Sequence, residues 1–246
     1  MKRAVFLFLA GAVLAAAPIA AQARHIPAKP PVVVELFTAQ GCASCGKANA
    51  FVATLAERPG LVTLTWSVDY WDYLGWKDTF AQPEFADRQR AFDKHFGLRD
   101  VYTPQVIVDG ATQASGAKPE AVEKLLREAR KAPGRQPSLR FYHRGERVAV
   151  SAGAPPRGAP PRGGAEVWLI RYDSRAQEVE VKDGDNRGHT VTVRNVVRQA
   201  VKLGTWRGKA VQFIIPEGDD ALKRVVLLQA PKGGRILGVL QDPAKP

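Results

Sequence analysis

The feature that most constrains this chain is a pair of cysteines, Cys42 and Cys45, between a predicted strand and a predicted helix. Residues 32–37 form a short run rich in β-branched side chains, which is typical of a buried strand. Residues 47–58 carry apolar side chains at helical spacing and stop before Pro59. A thiol at such a turn lies near the free N–H groups and the positive dipole end of the helix, which favour its thiolate. Cys42 is therefore the predicted nucleophile, and Cys45 the thiol that resolves a mixed disulfide.

The first part of the chain alternates strand-like and helix-like segments in the order β-α-β-α-β-β-α. This order predicts an α/β domain, residues 24–133, with a mixed, partly parallel sheet flanked by helices. After residue 133 the pattern changes to many short strands separated by turn residues, interrupted by one short helix over residues 195–203. Such a pattern predicts an all-β, sandwich-like domain over residues 134–246.

The first 23 residues have the pattern of a secretory signal peptide. Lys2 and Arg3 precede an uncharged apolar run, and residues 21–23 read Ala-Gln-Ala, a typical cleavage site. The run is shorter than the roughly 20 residues that a membrane span needs, and no other stretch is long and apolar enough to cross a bilayer. We therefore expect an exported protein in a bacterial periplasm, where cysteines can form disulfides.

The formal charge of +12 is concentrated in the second half of the chain. Its basic residues are scattered and no nucleic-acid-binding motif occurs, which favours a solvated basic surface over a nucleic-acid interface. Residues 183–188 resemble a calcium loop only loosely, because the closing glutamate of an EF-hand is missing, and they predict a turn. The four histidines show no ligand spacing. We predict neither a metal site nor a dissociable cofactor.

More residues extend the pattern around the cysteines. Residues 102–105 read Tyr-Thr-Pro-Gln and place Pro104 at the start of a predicted strand, and residues 37–42 look similar to a glutaredoxin segment. This arrangement resembles the thioredoxin superfamily. The resemblance implies a cis peptide bond before Pro104, facing the cysteines. It also implies that the Thr103 backbone pairs with an incoming substrate strand and that Pro104 keeps metal away from the thiols.

A narrower resemblance rests on four segments, which read Glu-Leu-Phe-Thr at 35–38, Val-Asp-Tyr-Trp-Asp at 68–72, Leu-Gly-Trp at 74–76 and Tyr-Thr-Pro-Gln at 102–105. Together with the cysteines they resemble a family of secreted bacterial proteins catalogued as domain of unknown function 1223, over about residues 31–240. This resemblance implies a thioredoxin-like first domain and assigns no activity. The chain departs from ordinary thioredoxins in a helical insertion at about residues 69–96, and in Gly41, where thioredoxins have a tryptophan.

Three further residues are candidates for the site. Glu35 lies in the first predicted strand, at a place where thioredoxins carry an acidic residue. If it is buried, its pKa rises and it suits proton transfer with Cys45; otherwise it is a structural carboxylate, hydrogen-bonded or at a sheet edge. Trp76 and Asp72 belong to an aromatic and acidic cluster that either lines a substrate cleft or packs the inserted helix.

The sequence thus favours an exported thiol–disulfide oxidoreductase that acts through Cys42 and Cys45 on protein thiols or disulfides of the cell envelope. A purely structural role is less favoured, because a disulfide across two intervening residues constrains little chain. One alternative is a non-catalytic envelope binding protein on a thioredoxin-like scaffold. Another is a copper-handling protein, because soft thiolates select Cu(I).

Overall fold

A computed structural model describes residues 30–132, 137–142, 145–152 and 161–242. The predicted signal peptide, residues 1–23, lies outside the described residues. No helix within these ranges has the length and apolar character needed to span a membrane. The helices are α1 (Cys45–Ala56), α2 (Pro83–Phe96) and α3 (Pro119–Lys131), with a 3-10 helix at Asp72–Leu74. The strands are β1 (Val32–Thr38), β2 (Leu61–Ser67), β3 (Gln105–Val108), β4 (Thr112–Ser115), β5 (Leu139–Tyr142), β6 (Arg147–Val150), β7 (Ala165–Asp173), β8 (Gln177–Glu180), β9 (Thr190–Val193), β10 (Val196–Trp206), β11 (Val211–Ile214), β12 (Lys223–Gln229) and β13 (Ile236–Gln241).

The fold is mixed α/β and is built on one large mixed sheet with the strand order β13-β12-β7-β10-β2-β1-β3-β4. Strand β1 lies inside this sheet, parallel to β2 and antiparallel to β3. All residues of β1 and β2 are buried. Continuous burial of this kind is expected where both faces of a parallel pair are covered, which explains the nearly unbroken apolar run in the sequence.

The alternation of side chains along β1 divides the core into two layers. On one face α1 and α3 pack against the sheet through a cluster that includes Val34, Leu36, Val52 and Leu126. On the other face α2 packs through a cluster rich in aromatic side chains, which comprises Phe37, Trp66, Phe85 and Phe92 among others. Glu35 alternates with Val34 and Leu36, so it points to the aromatic side.

Strands from the second half of the chain extend the same sheet. β10 joins β2 through the pair Val196 and Thr65, and β7, β12 and β13 follow. A three-stranded sheet, β11-β6-β5, contributes Val148 and Val150 to a core shared with residues of β7 and β12. The predicted boundary near residue 133 therefore lies within a chain whose two parts share one continuous sheet.

The helix predicted over residues 195–203 is wrong, because this segment is strand β10. β10 lies between β7 and β2 and contains two irregularities in its register with β7, at Val197/Gln199 and Lys202/Gly204. Such bulges interrupt the two-residue alternation by which a strand is recognised. Pairing with β7 along most of the strand also overrides the helix propensity of individual residues. Gly204 does not end a helix; a Cβ there would lie 2.5 Å from the ring of Phe213.

We expect Asn195 to be one of the residues that hold the two parts of the chain together. It lies between β9 and β10 with φ of 53°, and its Nδ2 donates to the backbone oxygen and the Oγ1 of Thr63 at 3.0 and 2.6 Å. Asn195→Gly should lower the free energy of unfolding by about 1 kcal/mol, because these hydrogen bonds are lost. Asn195→Ala should cost about 1 kcal/mol more, because a residue with a Cβ is strained at positive φ. Urea denaturation measures both changes; equal losses would contradict this role of the backbone conformation.

Candidate functional site

The two cysteines form a disulfide at the turn between β1 and α1. Their Cα atoms are 5.4 Å apart, and the turn is closed by hydrogen bonds from Cys42 N to Ala39 O and from Cys45 N to Cys42 O. Cys45 is the first residue of α1, so the predicted strand–turn–helix setting of the pair is confirmed. Each cysteine is only 1% exposed, which restricts the direction from which another sulfur can approach.

The Thr103–Pro104 peptide bond is cis, as the resemblance to thioredoxins implies. Trp71 connects this loop to the cysteine turn. Its Nε1 donates to Thr103 Oγ1 at 2.8 Å, and its Cβ lies 3.6 Å from where a Cβ at Gly41 would be. Trp71 therefore occupies space next to Gly41, the residue before the first cysteine.

Gln40 is the centre of a hydrogen-bond network that holds the cysteine turn in place. It is 1% exposed, and its backbone N–H donates to Asp78 Oδ2 at 2.7 Å. Its side chain accepts from Trp76 Nε1 at 2.8 Å and donates to Thr79 Oγ1 at 2.9 Å. Its backbone oxygen accepts from Asn186 Nδ2 at 2.7 Å. The last bond fixes the loop between β8 and β9 beside the disulfide.

A cleft of about 480 Å³ opens beside the disulfide. One wall is the N-terminal half of α1, and the other is β9 with the loop that precedes it. The residues that line it are Ala39, Cys42, Ala43, Cys45, Gly46, Asn49, Ala50, Ala53, Asn186, His189, Thr190, Val191 and Thr192. The disulfide is thus reached through a space that the second half of the chain helps to build.

Asn49 lines this cleft and carries a buried hydrogen-bond donor that has no partner among the described residues. Its side chain is buried, and its Oδ1 accepts from Thr38 Oγ1 at 2.8 Å. Its Nδ2 has no hydrogen-bond partner among the described residues. A buried donor without a partner is costly, and this one lies beneath the surface of the cleft.

Glu35 is fully buried and forms an ion pair with Arg88 of α2. Its two carboxylate oxygens accept from Arg88 Nε and Nη2 at 2.6 and 2.9 Å. The guanidinium lies 4.9 Å from the Trp66 ring centre and 5.1 Å from that of Phe92. Since β1 lies inside the sheet and both oxygens are occupied, the geometry favours a hydrogen-bonded structural carboxylate over a proton carrier and excludes an edge position.

Asp72 and Trp76 support the Gln40 network. Asp72 Oδ1 accepts from the backbone N–H of Asp78 at 3.1 Å. Trp76 packs against a cluster formed by residues of the β8–β9 region and the start of β10, which comprises Val181, Val191, Val193 and Val196. Of the predicted site residues, Cys42 and Cys45 line the cleft together. Glu35, Asp72, Trp76, Thr103 and Pro104 lie outside the set of residues that line it.

Sequence reasoning missed the residues that come from distant parts of the chain. The loop at 183–188 was predicted to be a turn, and it is one, but its Asn186 also reaches Gln40. His189 lines the cleft as well. Among the described residues, no group of three His, Cys, Asp or Glu side chains is arranged to hold a metal ion. The unpaired Nδ2 of Asn49 had no sequence signal, because asparagines are common on helix surfaces.

Asp78 should titrate far above the usual range of an aspartate. Burial raises its pKa from 3.8 to about 6, against the opposing effect of backbone N–H bonds from Gln40, Phe80 and Ala81. Between about pH 4 and pH 6 the folded protein keeps a proton that the unfolded chain loses, so this group lowers stability as the pH rises through that window. We expect the carboxyl carbon resonance of Asp78 to titrate with a midpoint near 6, and Asp78→Asn to remove this part of the pH dependence of unfolding. A midpoint below 4 would contradict the assignment.

Known proteins resemble this chain in sequence and in structure. A crystal structure of an Agrobacterium tumefaciens protein matches with a TM-score of 0.69 and 28% identity, over 88% of this chain and 96% of that one. HBP35 of Porphyromonas gingivalis matches in fold, with a TM-score of 0.57 and 12% identity over 87% of this chain and 75% of that one. Curated proteins contain no match. The family described as "Protein of unknown function (DUF1223)" matches residues 33–229. The chain therefore belongs to the DUF1223 family.

Proposed function

We propose that this protein is an exported thiol–disulfide oxidoreductase that exchanges disulfides with proteins of the cell envelope through Cys42 and Cys45. The observation that carries the proposal is the position of the pair: the disulfide spans two residues at a strand-to-helix turn and lies on the wall of an open cleft. A disulfide that closes so short a loop adds little stability, whereas a redox pair needs access of this kind.

The scaffold that we propose for this activity is thioredoxin-like. The element order β1-α1-β2-α2-β3-β4-α3, the strand order β2-β1-β3-β4 and the cis bond before Pro104 support it. The strands after residue 133 form an appended β domain in this proposal, and the β8–β9 region is the part of that domain that reaches the cysteines. Residues 1–23 act as the signal peptide that directs the protein to the periplasm.

The exchange begins, in the disulfide form, with a substrate thiolate that attacks Cys42 Sγ. A bond forms between the substrate sulfur and Cys42, the Cys42–Cys45 bond breaks, and Cys45 leaves as a thiolate and takes up a proton. A second substrate thiolate then attacks the substrate sulfur of the mixed disulfide, and Cys42 leaves as a thiolate. The substrate loses two electrons and becomes a disulfide, and the pair gains them. The same steps in reverse reduce a substrate disulfide.

Cys42 is the proposed site of attack because the surroundings of the two sulfurs differ. Ser44 Oγ lies 3.5 Å from Cys42 Sγ and can donate to a thiolate there. Cys45 is the first residue of α1, and both cysteines belong to the buried aromatic-side core. We propose that Glu35 contributes by anchoring Arg88 and α2, while the proton for Cys45 comes from water in the cleft.

Trapping of mixed disulfides tests this proposal in cells that export the full chain. Cys45→Ser should accumulate covalent complexes through Cys42, visible as bands of higher mass on a non-reducing gel and absent after reduction. Cys42→Ser is the matched control, since it removes one sulfur in the same way but should trap little. Wild-type protein should reduce insulin or reactivate scrambled ribonuclease, and either single variant should lose this activity.

Two outcomes would overturn the proposal. If neither variant traps a partner and the wild-type protein is inactive in both assays, the pair is not a redox centre, and a non-catalytic binding role is then favoured. If Cys42→Ser traps partners and Cys45→Ser does not, the assignment of the attacked sulfur is wrong.

A further inference from the structure

Strand β9 presents unpaired backbone groups to the cleft. β9 pairs with β8 alone among the described strands. The hydrogen bond from Val181 N to His189 O makes Val181 and His189 a hydrogen-bonded pair at the start of the ladder between β8 and β9. Because hydrogen-bonded and non-hydrogen-bonded pairs alternate in antiparallel strands, Thr190 and Thr192 occupy the non-hydrogen-bonded positions. Their N–H and C=O groups therefore point away from β8, on the side where both residues line the cleft.

The opposite wall of the cleft is smooth. The residues that α1 and its preceding turn contribute are small, namely Ala43, Gly46, Ala50 and Ala53. Asn49 lies among them, and its buried Nδ2 is without a partner in the described structure. A cleft bordered by a strand edge and a small-residue helix face suits a ligand that is flat, extended and rich in hydrogen-bonding groups.

We propose that the cleft binds the substrate as an extended polypeptide segment, which adds a strand to the open edge of β9 and brings its cysteine to Cys42. This inference rests on the proposed function and names its substrate class. Pairing with a strand edge recognises backbone and not sequence, so the preferred substrates are unfolded or extended segments of envelope proteins.

The spacing of the edge groups along β9 agrees with this occupant. A strand rises about 3.3 Å per residue, so the edge groups of Thr190 and Thr192 are spaced to pair with alternate residues of a bound chain. Cys42 and Cys45 line the same cleft as these groups. A substrate held along β9 therefore has its sulfur delivered to the disulfide by backbone contacts on a different element from the Thr103–Pro104 loop.

The first test compares Thr192→Pro with Thr192→Ala in the full chain. Proline removes the N–H that points into the cleft and is tolerated on an edge strand, while alanine keeps it. The readout is the second-order rate at which the Cys42–Cys45 disulfide is reduced, followed by alkylation with a maleimide that shifts the protein on a gel. The reductants are a synthetic ten-residue peptide dithiol and dithiothreitol.

We expect Thr192→Pro to slow reduction by the peptide about tenfold, and to leave reduction by dithiothreitol within twofold of the wild-type rate. Thr192→Ala should behave as wild type with both. The same peptide, N-methylated at the residues that flank one cysteine, should reduce the disulfide of the wild-type protein more slowly than the unmethylated peptide does. Equal peptide rates for proline, alanine and wild type would overturn the inference and leave the proposed function standing.

The second test fills the cleft. Ala50 is exposed on the cleft side of α1 and Thr54 is exposed outside the set of cleft residues, so Ala50→Trp and Thr54→Trp form a matched pair. Ala50→Trp should slow reduction by the peptide at least tenfold and should change the rate of reduction by dithiothreitol little. Equal slowing of both reductants would show that the cleft is a general passage and not a polypeptide site. Failure of dithiothreitol to reduce the native wild-type protein would instead count against the proposed function itself.

Discussion

The buried backbone of Gln40 is the constraint on which the rest of the site depends. Its N–H and C=O lie out of reach of solvent, so their hydrogen-bond partners must be protein groups. The Asp78 carboxyl group accepts from the N–H, and the Asn186 side chain donates to the C=O. The first bond fixes the segment that follows β2, and the second fixes the loop before β9. Since Cys42 follows two residues later, one buried residue determines the shape of the cysteine turn and the place of both neighbouring segments.

This arrangement gives the disulfide an asymmetric environment. The Trp71 side chain and the Thr103–Pro104 loop lie on one side of the turn, and the β9 edge lies on the other, across the cleft. The cysteines are almost fully buried, so reactivity depends on delivery of a partner sulfur along a defined path. A strand edge is usually protected from pairing with other chains. Here α1 packs close to β9, and the cleft is lined by residues of both elements.

The sequence predicted the elements with local signals and missed those that depend on long-range pairing. The apolar run of β1 and the helical spacing of α1 both appear close to where their patterns place them. The helix prediction for the β10 segment is wrong because bulges interrupt the two-residue alternation of this strand. The bond between Gln40 and Asn186 joins residues far apart in sequence, and no local pattern reports such a contact. Glu35 was recognised as a candidate, but its partner Arg88 and hence its charge compensation were not.

The reduction potential of the Cys42–Cys45 pair tests the account most directly. Equilibration of the native protein with glutathione or dithiothreitol buffers, followed by thiol trapping, gives the fraction of disulfide at each potential. The account predicts a reversible two-electron transition at a potential above about −300 mV, in the range where exchange-active pairs are found. A pair that stays oxidised well below about −300 mV would be a structural disulfide, and that result would contradict the proposed exchange.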